Sequence, residues 1–171
     1  MIRFLGYLWA LPNTLLGVLM ALTVYFPKMV RWRDGALEIV PRRRNLIGGP
    51  WVGAQTYGWI IFGKTREMLD AVDLYAHERV HVDQGLKYGI TLWFVYGAQF
   101  ADKYFGDAKT TLWARTSNGW ARNLTGLPRW RRAYYLIPLE LEAYAAGYEA
   151  ARDAIARANA AIEHNSKVRV L

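Results

Sequence analysis

The sequence predicts an α+β fold, in which a mainly helical domain carries a small antiparallel sheet and follows an N-terminal membrane helix. Three observations support this prediction. Residues 4–27 form an apolar stretch without charged side chains. Asp34-Gly35 lies between short runs of alternating apolar residues, a pattern typical of a β-hairpin. Residues 65–85 and 138–149 are rich in helix-favouring residues, and they carry the polar groups on which the functional hypothesis depends.

The N-terminal segment is long enough to cross a bilayer as a single helix. Residues 4–27 comprise 24 uncharged residues, whereas a spanning helix needs about 20. Tyr7, Trp9 and Tyr25 lie towards its ends, where aromatic side chains favour the membrane interface. A cleaved signal peptide, a buried core helix and a helical hairpin broken near Pro12-Asn13 are the alternatives.

The distribution of charge indicates lipid as a partner. The chain has 22 Lys and Arg against 14 Asp and Glu, and six of the basic residues follow the apolar segment closely: Lys28, Arg31, Arg33, Arg42, Arg43 and Arg44. The positive-inside rule predicts that this side is cytoplasmic, and the same residues can contact anionic headgroups. We therefore expect residues 1–27 to be a membrane anchor or interfacial helix. Nucleic acid, which basic aromatic chains also bind, is an unlikely partner beside so apolar a segment.

Residues 28–171 are expected to form the second unit. Within it, residues 29–40 predict two strands around Asp34-Gly35, and residues 55–62 predict a third strand. Such a strand could pair with an extended peptide or could be purely structural. Residues 90–105 are a second apolar stretch, too short for an ordinary membrane span, and we expect a core or interfacial helix there.

The sequence His77-Glu-Arg-Val-His81 reads H-E-x-x-H and contains two of the three histidines of the chain. On a helix, positions i and i+4 lie on one face, so both imidazoles can bind one metal ion. Glu78 can then take a proton from water at the metal, which is the chemistry of a zinc hydrolase. A surface helix with two solvated histidines is the alternative. The motif lies on a helix that Thr65 can cap and Gly85 can end.

A catalytic zinc ion usually has three protein ligands, so a third ligand is needed. His164 lies in a polar tail, and we expect it to be solvated. Pro138 suits the first turn of a second helix, which carries Glu140 and Glu142. These two glutamates point about 200° apart on a helix, so only one should face the metal.

An H-E-x-x-H motif followed by Glu140-Leu-Glu-Ala on a second helix resembles the glutamate-zincin metallopeptidases, which include thermolysin-like enzymes and CAAX-type prenyl peptidases. Their second helix reads E-x-x-[SA]-D, and its first Glu is the third ligand. Tyr144 replaces the family Asp, which orients a metal-bound histidine. The segment His77–Gln84 also resembles small uncharacterised bacterial and phage proteins with an H-E-R-V-H-x-x-Q helix, which suggest no substrate.

The resemblance implies that residues 28–171 form a zincin-like metal-binding domain of a membrane-associated zinc metallopeptidase. His77, His81 and Glu140 would hold Zn²⁺, and Glu78 would be the general base acting on a peptide or protein substrate. Residues that could orient a ligand or stabilise the oxyanion are Asp73, Tyr144 and Glu142, with Tyr148, Tyr88 and Arg79 as further oxyanion candidates. The alternative is a non-catalytic membrane-bound interaction protein with a structural or vestigial zinc site.

Overall fold

The computed structural model describes residues 2–42, 49, 52–106, 113–115 and 121–168. The helices are α1 (Ile2–Trp9), α2 (Leu11–Met20), α3 (Arg66–Asp70), α4 (Val72–Tyr88), α5 (Leu92–Phe105), α6 (Arg129–Tyr135) and α7 (Pro138–Val168). The strands are β1 (Pro27–Arg33), β2 (Ala36–Pro41), β3 (Ala54–Tyr57), β4 (Ile60–Gly63), β5 (Trp113–Arg115) and β6 (Ala121–Asn123). The described chain is mostly helical with a small sheet, so the α+β prediction is confirmed.

The N-terminal segment is not the single long helix that its composition predicts. Helix α1 ends at Trp9, α2 begins at Leu11, and a π-helical turn, Ala21–Tyr25, follows α2. Pro12 explains the interruption, because its ring excludes a continuous hydrogen-bond ladder with the preceding turn. Among the described residues, no helix combines the length and the apolar character that crossing a bilayer requires.

The first two strands form the expected hairpin. Asp34 and Gly35 both adopt positive φ, at 48° and 80°, as a tight two-residue hairpin turn requires. The predicted third strand is in fact a second hairpin, β3 and β4, because the chain turns at Gly58-Trp59.

The four strands are ordered β1-β2-β4-β3, and β2 and β4 are parallel. The prediction of a purely antiparallel sheet is therefore wrong. Strand β4 carries Ile60, Ile61 and Phe62, all with no exposed surface, and takes an inner position. The more polar β3 takes the edge, and this order places β4 alongside β2 in the same direction. Among the described strands, β3 is therefore an edge strand, and it also contacts α4.

The single helix predicted over residues 65–85 is two helices in the structure, and the metal motif lies on the second, which begins at Val72 and ends at Tyr88. Thr65 caps α3 by accepting a hydrogen bond from the backbone of Met68 at 3.3 Å. Ala71 then adopts an extended conformation and separates α3 from α4. Gly85 does not end α4, which continues to Tyr88, and Gly89 with φ 53° follows it. Helix α4 packs along the long helix α7 and also against β3. The α4 side chains on the packed side therefore lie between α7 and the edge strand.

Close approach explains why Gly85 lies inside a helix. A Cβ at Gly85 would lie 3.0 Å from the backbone oxygen of Gly58, and Gly58 itself lies against Thr14 in α2. The two glycines therefore let α2, the β3–β4 turn and α4 meet without intervening side chains.

Replacing Gly58 with alanine should destabilise the fold by about 2–4 kcal/mol, combining overpacking with strain at positive φ. The added Cβ would overlap the Thr14 hydroxyl, and φ at this position is 61°. Gly97→Ala is the matched control, because a Cβ at this helical position would meet no described atom within 4 Å apart from its own helix backbone and chain neighbours. We expect Gly97→Ala to be neutral or to stabilise by about 0.5–1 kcal/mol. Denaturant unfolding measures both, and equal stabilities of the two variants would contradict the packing described.

Candidate metal centre

Helices α4 and α7 bring His77, His81 and Glu140 together. The Nε2 atoms of the two histidines are 3.1 Å apart. Glu140 Oε2 lies 3.4 Å from Nε2 of His77, and its Oε1 lies 3.5 Å from Nε2 of His81. His77 and Glu140 are buried, and His81 is partly exposed. These three residues form a buried group that could hold a metal ion.

The spacing of these atoms suits a tetrahedral cation. Ligand bonds of 2.0–2.1 Å at tetrahedral angles imply roughly 3.3–3.4 Å between ligand atoms, close to the distances observed. Two imidazole nitrogens at 3.1 Å repel each other unless a proton or cation lies between them. Glu140 Oε2 is also buried and has no hydrogen-bond partner among the described residues. The donor set therefore fits a metal ion.

Gln84 orients His81 and was not predicted as a site residue. Its Nε2 donates to the backbone oxygen of Leu139 at 3.0 Å and to Glu142 Oε2 at 2.9 Å, so its Oε1 must be the acceptor that faces His81. His81 Nδ1 lies 2.9 Å from that oxygen and donates to it. This tautomer leaves the Nε2 lone pair of His81 free for a metal. Glu142, a predicted site residue, is exposed and acts only through Gln84.

Replacing Gln84 with leucine should weaken zinc binding by roughly 10- to 100-fold, the usual effect of removing a group that orients a metal-bound histidine. Gln84→Glu keeps an acceptor for His81 but removes the amide donors, so its affinity should lie between those of Gln84→Leu and wild type. The exposed Asp83 on the same helix offers a control, Asp83→Asn. Competition with a chelating dye measures all three variants. Wild-type affinity in Gln84→Leu would show that the contact has no role in metal binding.

His77, the other histidine of the motif, has a different environment from the one that the sequence suggested. His77 Nδ1 is buried and has no hydrogen-bond partner among the described residues, so neither Asp73 nor Tyr144 orients it by a hydrogen bond. Asp73 lies in the first turn of α4, and Tyr144 instead packs its ring on His77, with centroids 4.6 Å apart. Tyr144 therefore restrains His77 by packing alone. The side chain of His164 lies outside the described residues.

Glu78, the predicted general base, is buried beside the metal group. Thr56 of β3 donates a hydrogen bond from its hydroxyl to Glu78 Oε2 at 2.7 Å. This contact ties the carboxylate to the edge strand of the sheet. Sequence reasoning missed Thr56 because the strand was predicted without its pairing.

Tyr96 of α5 is a further unpredicted member of the site. Its hydroxyl donates to Glu140 Oε1 at 2.8 Å. Burial, followed by the negative charge of Glu140, raises the pKa of Tyr96 well above its usual range. Burial likewise raises the pKa of Tyr134. Both phenols therefore stay protonated at neutral pH and can donate hydrogen bonds.

Glu140 also controls the charge on His81. Burial alone would lower the pKa of His81, but the charge of Glu140 outweighs it and raises this pKa to about 9. Burial opposes the charge on Glu140 too, yet the two histidines hold its pKa well below the usual range. Without a bound metal, His81 therefore keeps its added proton at neutral pH.

Zinc affinity should consequently rise with pH. Zinc must displace the proton on His81, so the apparent affinity should increase roughly tenfold per pH unit and level off near pH 9. The raised pKa also means that the ion pair stabilises the metal-free fold below the unfolded histidine pKa of about 6.5, and that this stability is lost as pH rises through 9. Competition titrations from pH 6 to 8.5 measure the slope. A zinc affinity that does not change with pH would contradict the assignment of a proton to His81.

An open cavity of about 380 Å³ lies next to the metal group. Glu78, His81 and Glu140 all reach it. Its walls are largely aromatic and come from β3, α5 and α6: Tyr57, Trp93, Tyr96, Phe100, Trp130 and Tyr134. A buried carboxylate, two of the three residues of the metal group and room for a substrate thus share one cavity, an arrangement typical of active sites.

Comparisons of the chain with known protein families, with curated proteins and with solved structures find no significant match. The resemblance to glutamate-zincins, which comes from the two motif-bearing helices, stays a prediction. The functional interpretation depends on the geometry of the site itself.

Proposed function

We propose that this protein is a zinc-dependent hydrolase of the metallopeptidase type. The observation that carries the proposal is the shared cavity: a two-histidine, one-glutamate group lies beside a separate buried carboxylate, Glu78, and both face the same space. Two imidazoles and one carboxylate are a donor set that zinc uses in hydrolases, where a fourth position stays open for water.

Zinc bound at this group would supply a water of lowered pKa, near 7, and a Lewis acid for the scissile carbonyl. Glu78 accepts the proton of the attacking water and later returns it to the leaving amine. Thr56 holds the Glu78 carboxylate in place through its 2.7 Å hydrogen bond. Tyr96 donates its hydroxyl hydrogen to Glu140 Oε1 at 2.8 Å and so would hold this carboxylate beside the metal position.

The sheet edge favours an extended peptide as the substrate. Within the described part of the chain, strand β3 pairs only with β4, and Ala54, Gln55, Thr56 and Tyr57 all line the cavity. A peptide can add to such an edge through backbone hydrogen bonds while its side chains enter neighbouring pockets. The aromatic walls favour large apolar side chains next to the scissile bond.

Hydrolysis of a complex peptide mixture tests the proposal on many candidate substrate sequences at once. Zinc-loaded protein is incubated with peptides from a digested cell lysate, and new termini are identified by mass spectrometry. We expect cleavage next to large apolar residues, loss of cleavage after chelation, and recovery on addition of zinc. Asp83→Asn, which alters an exposed carboxylate on α4, should cleave like wild type. The absence of any metal-dependent cleavage would contradict the proposal.

One observation favours the alternative of a structural zinc site in a non-catalytic interaction protein. His77 Nδ1 has no acceptor among the described residues, and the family Asp is replaced by Tyr144. A site with this role would lose its fold when chelated, whereas a catalytic site would lose activity with little unfolding. Thermal unfolding with and without chelator separates the two functions.

A further inference from the structure

The N-terminal helices expose a continuous apolar face to solvent. This face consists of residues on α2 and the π-helical turn together with Phe26, which follows the turn: Leu11, Leu15, Leu16, Val18, Leu19, Leu22, Val24 and Phe26. Leu15, Leu19 and Leu22 are each more than half exposed, at 58%, 55% and 63%. Asn13 and Gly17, on the opposite side of α2, are buried against the rest of the domain. The helix thus has its apolar side turned outwards, the reverse of an ordinary surface helix.

A second exposed apolar patch lies at the start of α5 and in the short turn before it. Ile90, Trp93 and Phe94 are exposed, Phe94 to 76%. Asn13 joins the two regions, because its Nδ2 donates to the backbone oxygen of Gly89 at 2.6 Å and its Oδ1 accepts from Trp93 Nε1 at 2.9 Å. We call the exposed residues of α2, the π-helical turn and the start of α5 the apolar surface.

Positive charge borders the apolar surface. The chain contains no Asp or Glu from residue 1 to 33 or from residue 84 to 101, the two segments that supply the surface. Lys28 is exposed immediately after the π-helical turn. Arg42 is also exposed, and its backbone N–H donates to the carbonyl oxygens of Tyr25 and Phe26. Two cations therefore lie beyond the C-terminal end of α2, and exposed indoles lie at Trp9, just before α2, and at Trp93.

We propose that the apolar surface docks this protein onto an anionic lipid bilayer, with α2 lying in the plane of the interface. Apolar side chains would enter the headgroup–acyl boundary while Lys28 and Arg42 contact anionic headgroups. Tryptophan indoles favour the same depth. A second copy of the chain fits less well, because the net charge of +8 makes two copies repel each other.

Docking in this way would bring the cavity close to the membrane. Trp93 belongs both to the apolar surface and to the cavity wall. The cavity mouth would then lie beside the bilayer surface. The docking proposal depends only on the exposed surface and its charges. Its test is therefore independent of the proposed metal chemistry.

Vesicle flotation tests the proposal. Full-length protein is mixed with vesicles of phosphatidylcholine alone or with about 30% phosphatidylserine, a composition that resembles a charged leaflet. Wild type should float with the anionic vesicles and bind neutral ones more weakly, with binding reduced by salt. Leu15→Glu combined with Leu19→Glu should lower the partition coefficient at least about tenfold, because charges replace two leucines that would enter the bilayer. Ile155→Glu, at an exposed position on α7, is the matched control and should float like wild type.

A second variant tests the charged border without altering the apolar side chains. Lys28→Glu combined with Arg42→Glu should reduce flotation with anionic vesicles at least about tenfold and leave binding to neutral vesicles unchanged. Circular dichroism confirms that each variant is folded. Flotation of the leucine variant at the wild-type level would overturn the proposal. So would a stable dimer in gel filtration that the leucine substitutions convert to monomer, because the surface would then bind a second copy.

Discussion

Replacing Glu78 with glutamine should reduce peptide hydrolysis by roughly 10²- to 10⁴-fold, the range in which general-base catalysis contributes. The amide cannot take the proton of the attacking water. It can still accept the hydrogen bond from Thr56, so the side chain should keep its place. Zinc affinity should change little, because Glu78 is not one of the three residues that converge on the metal position.

Initial rates on a peptide identified from the cleavage mixture measure this effect, and competition titration measures the zinc affinity of the same samples. Asp83→Asn on the same helix controls for the loss of one carboxylate. Retention of wild-type activity in Glu78→Gln would assign the base to another group. A parallel loss of zinc would show that Glu78 acts as a ligand.

Replacing Glu140 with glutamine should weaken zinc binding by about 70- to 1,000-fold. Apparent binding energies of about 10–16 kcal/mol for four-ligand zinc sites imply roughly 2.5–4 kcal/mol for each ligand, or about 70- to 1,000-fold in affinity. The substitution also removes the charge that raises the pKa of His81. The pH at which the residual zinc affinity levels off should therefore fall from about 9 towards the ordinary histidine pKa.

Glu149→Gln, an exposed glutamate on the same helix, is the matched control and should bind zinc like wild type. Competition titration with a chelating dye at several pH values measures both variants. Equal zinc affinities of the two variants would exclude Glu140 as a ligand, and the site would then need a different third group.

Local signals in the sequence identified the features that depend on near neighbours. The Asp34-Gly35 hairpin, the Thr65 cap and the helix that begins at Pro138 each depend on a few adjacent residues, and the structure confirms all three. The spacing of His77 and His81 likewise implied a shared face. Glu140 joined them in the prediction through the zincin resemblance and helix geometry together.

Features that depend on tertiary contacts could not be predicted in the same way. The parallel pairing of β2 with β4 follows from the inner position of the buried β4, which strand patterns alone do not reveal. The continuation of α4 through Gly85 depends on its close approach to Gly58. The break in the N-terminal helix after Trp9 reflects Pro12. In the sequence, Pro12 indicated a helical hairpin only as an alternative to one long helix.

The residues around the metal position also divide into those that a local sequence signal indicates and those that only tertiary contacts reveal. Thr56 and Tyr96 come from elements far from the motif in sequence, and only the fold brings them to Glu78 and Glu140. Gln84 lies three residues after His81, a spacing that places it within reach on a helix. The signal for Gln84 was therefore present, but its partners on α7 decide its role.

X-ray absorption at the zinc edge, combined with the measured zinc content of the purified chain, tests the central claim most directly. We predict one zinc per chain, with two histidine nitrogens at about 2.0–2.1 Å and carboxylate and water oxygens completing the shell. Glu140→Gln should lose this signal, and Glu78→Gln should keep it. Zinc well below one equivalent, or a spectrum without two imidazole ligands, would contradict the account.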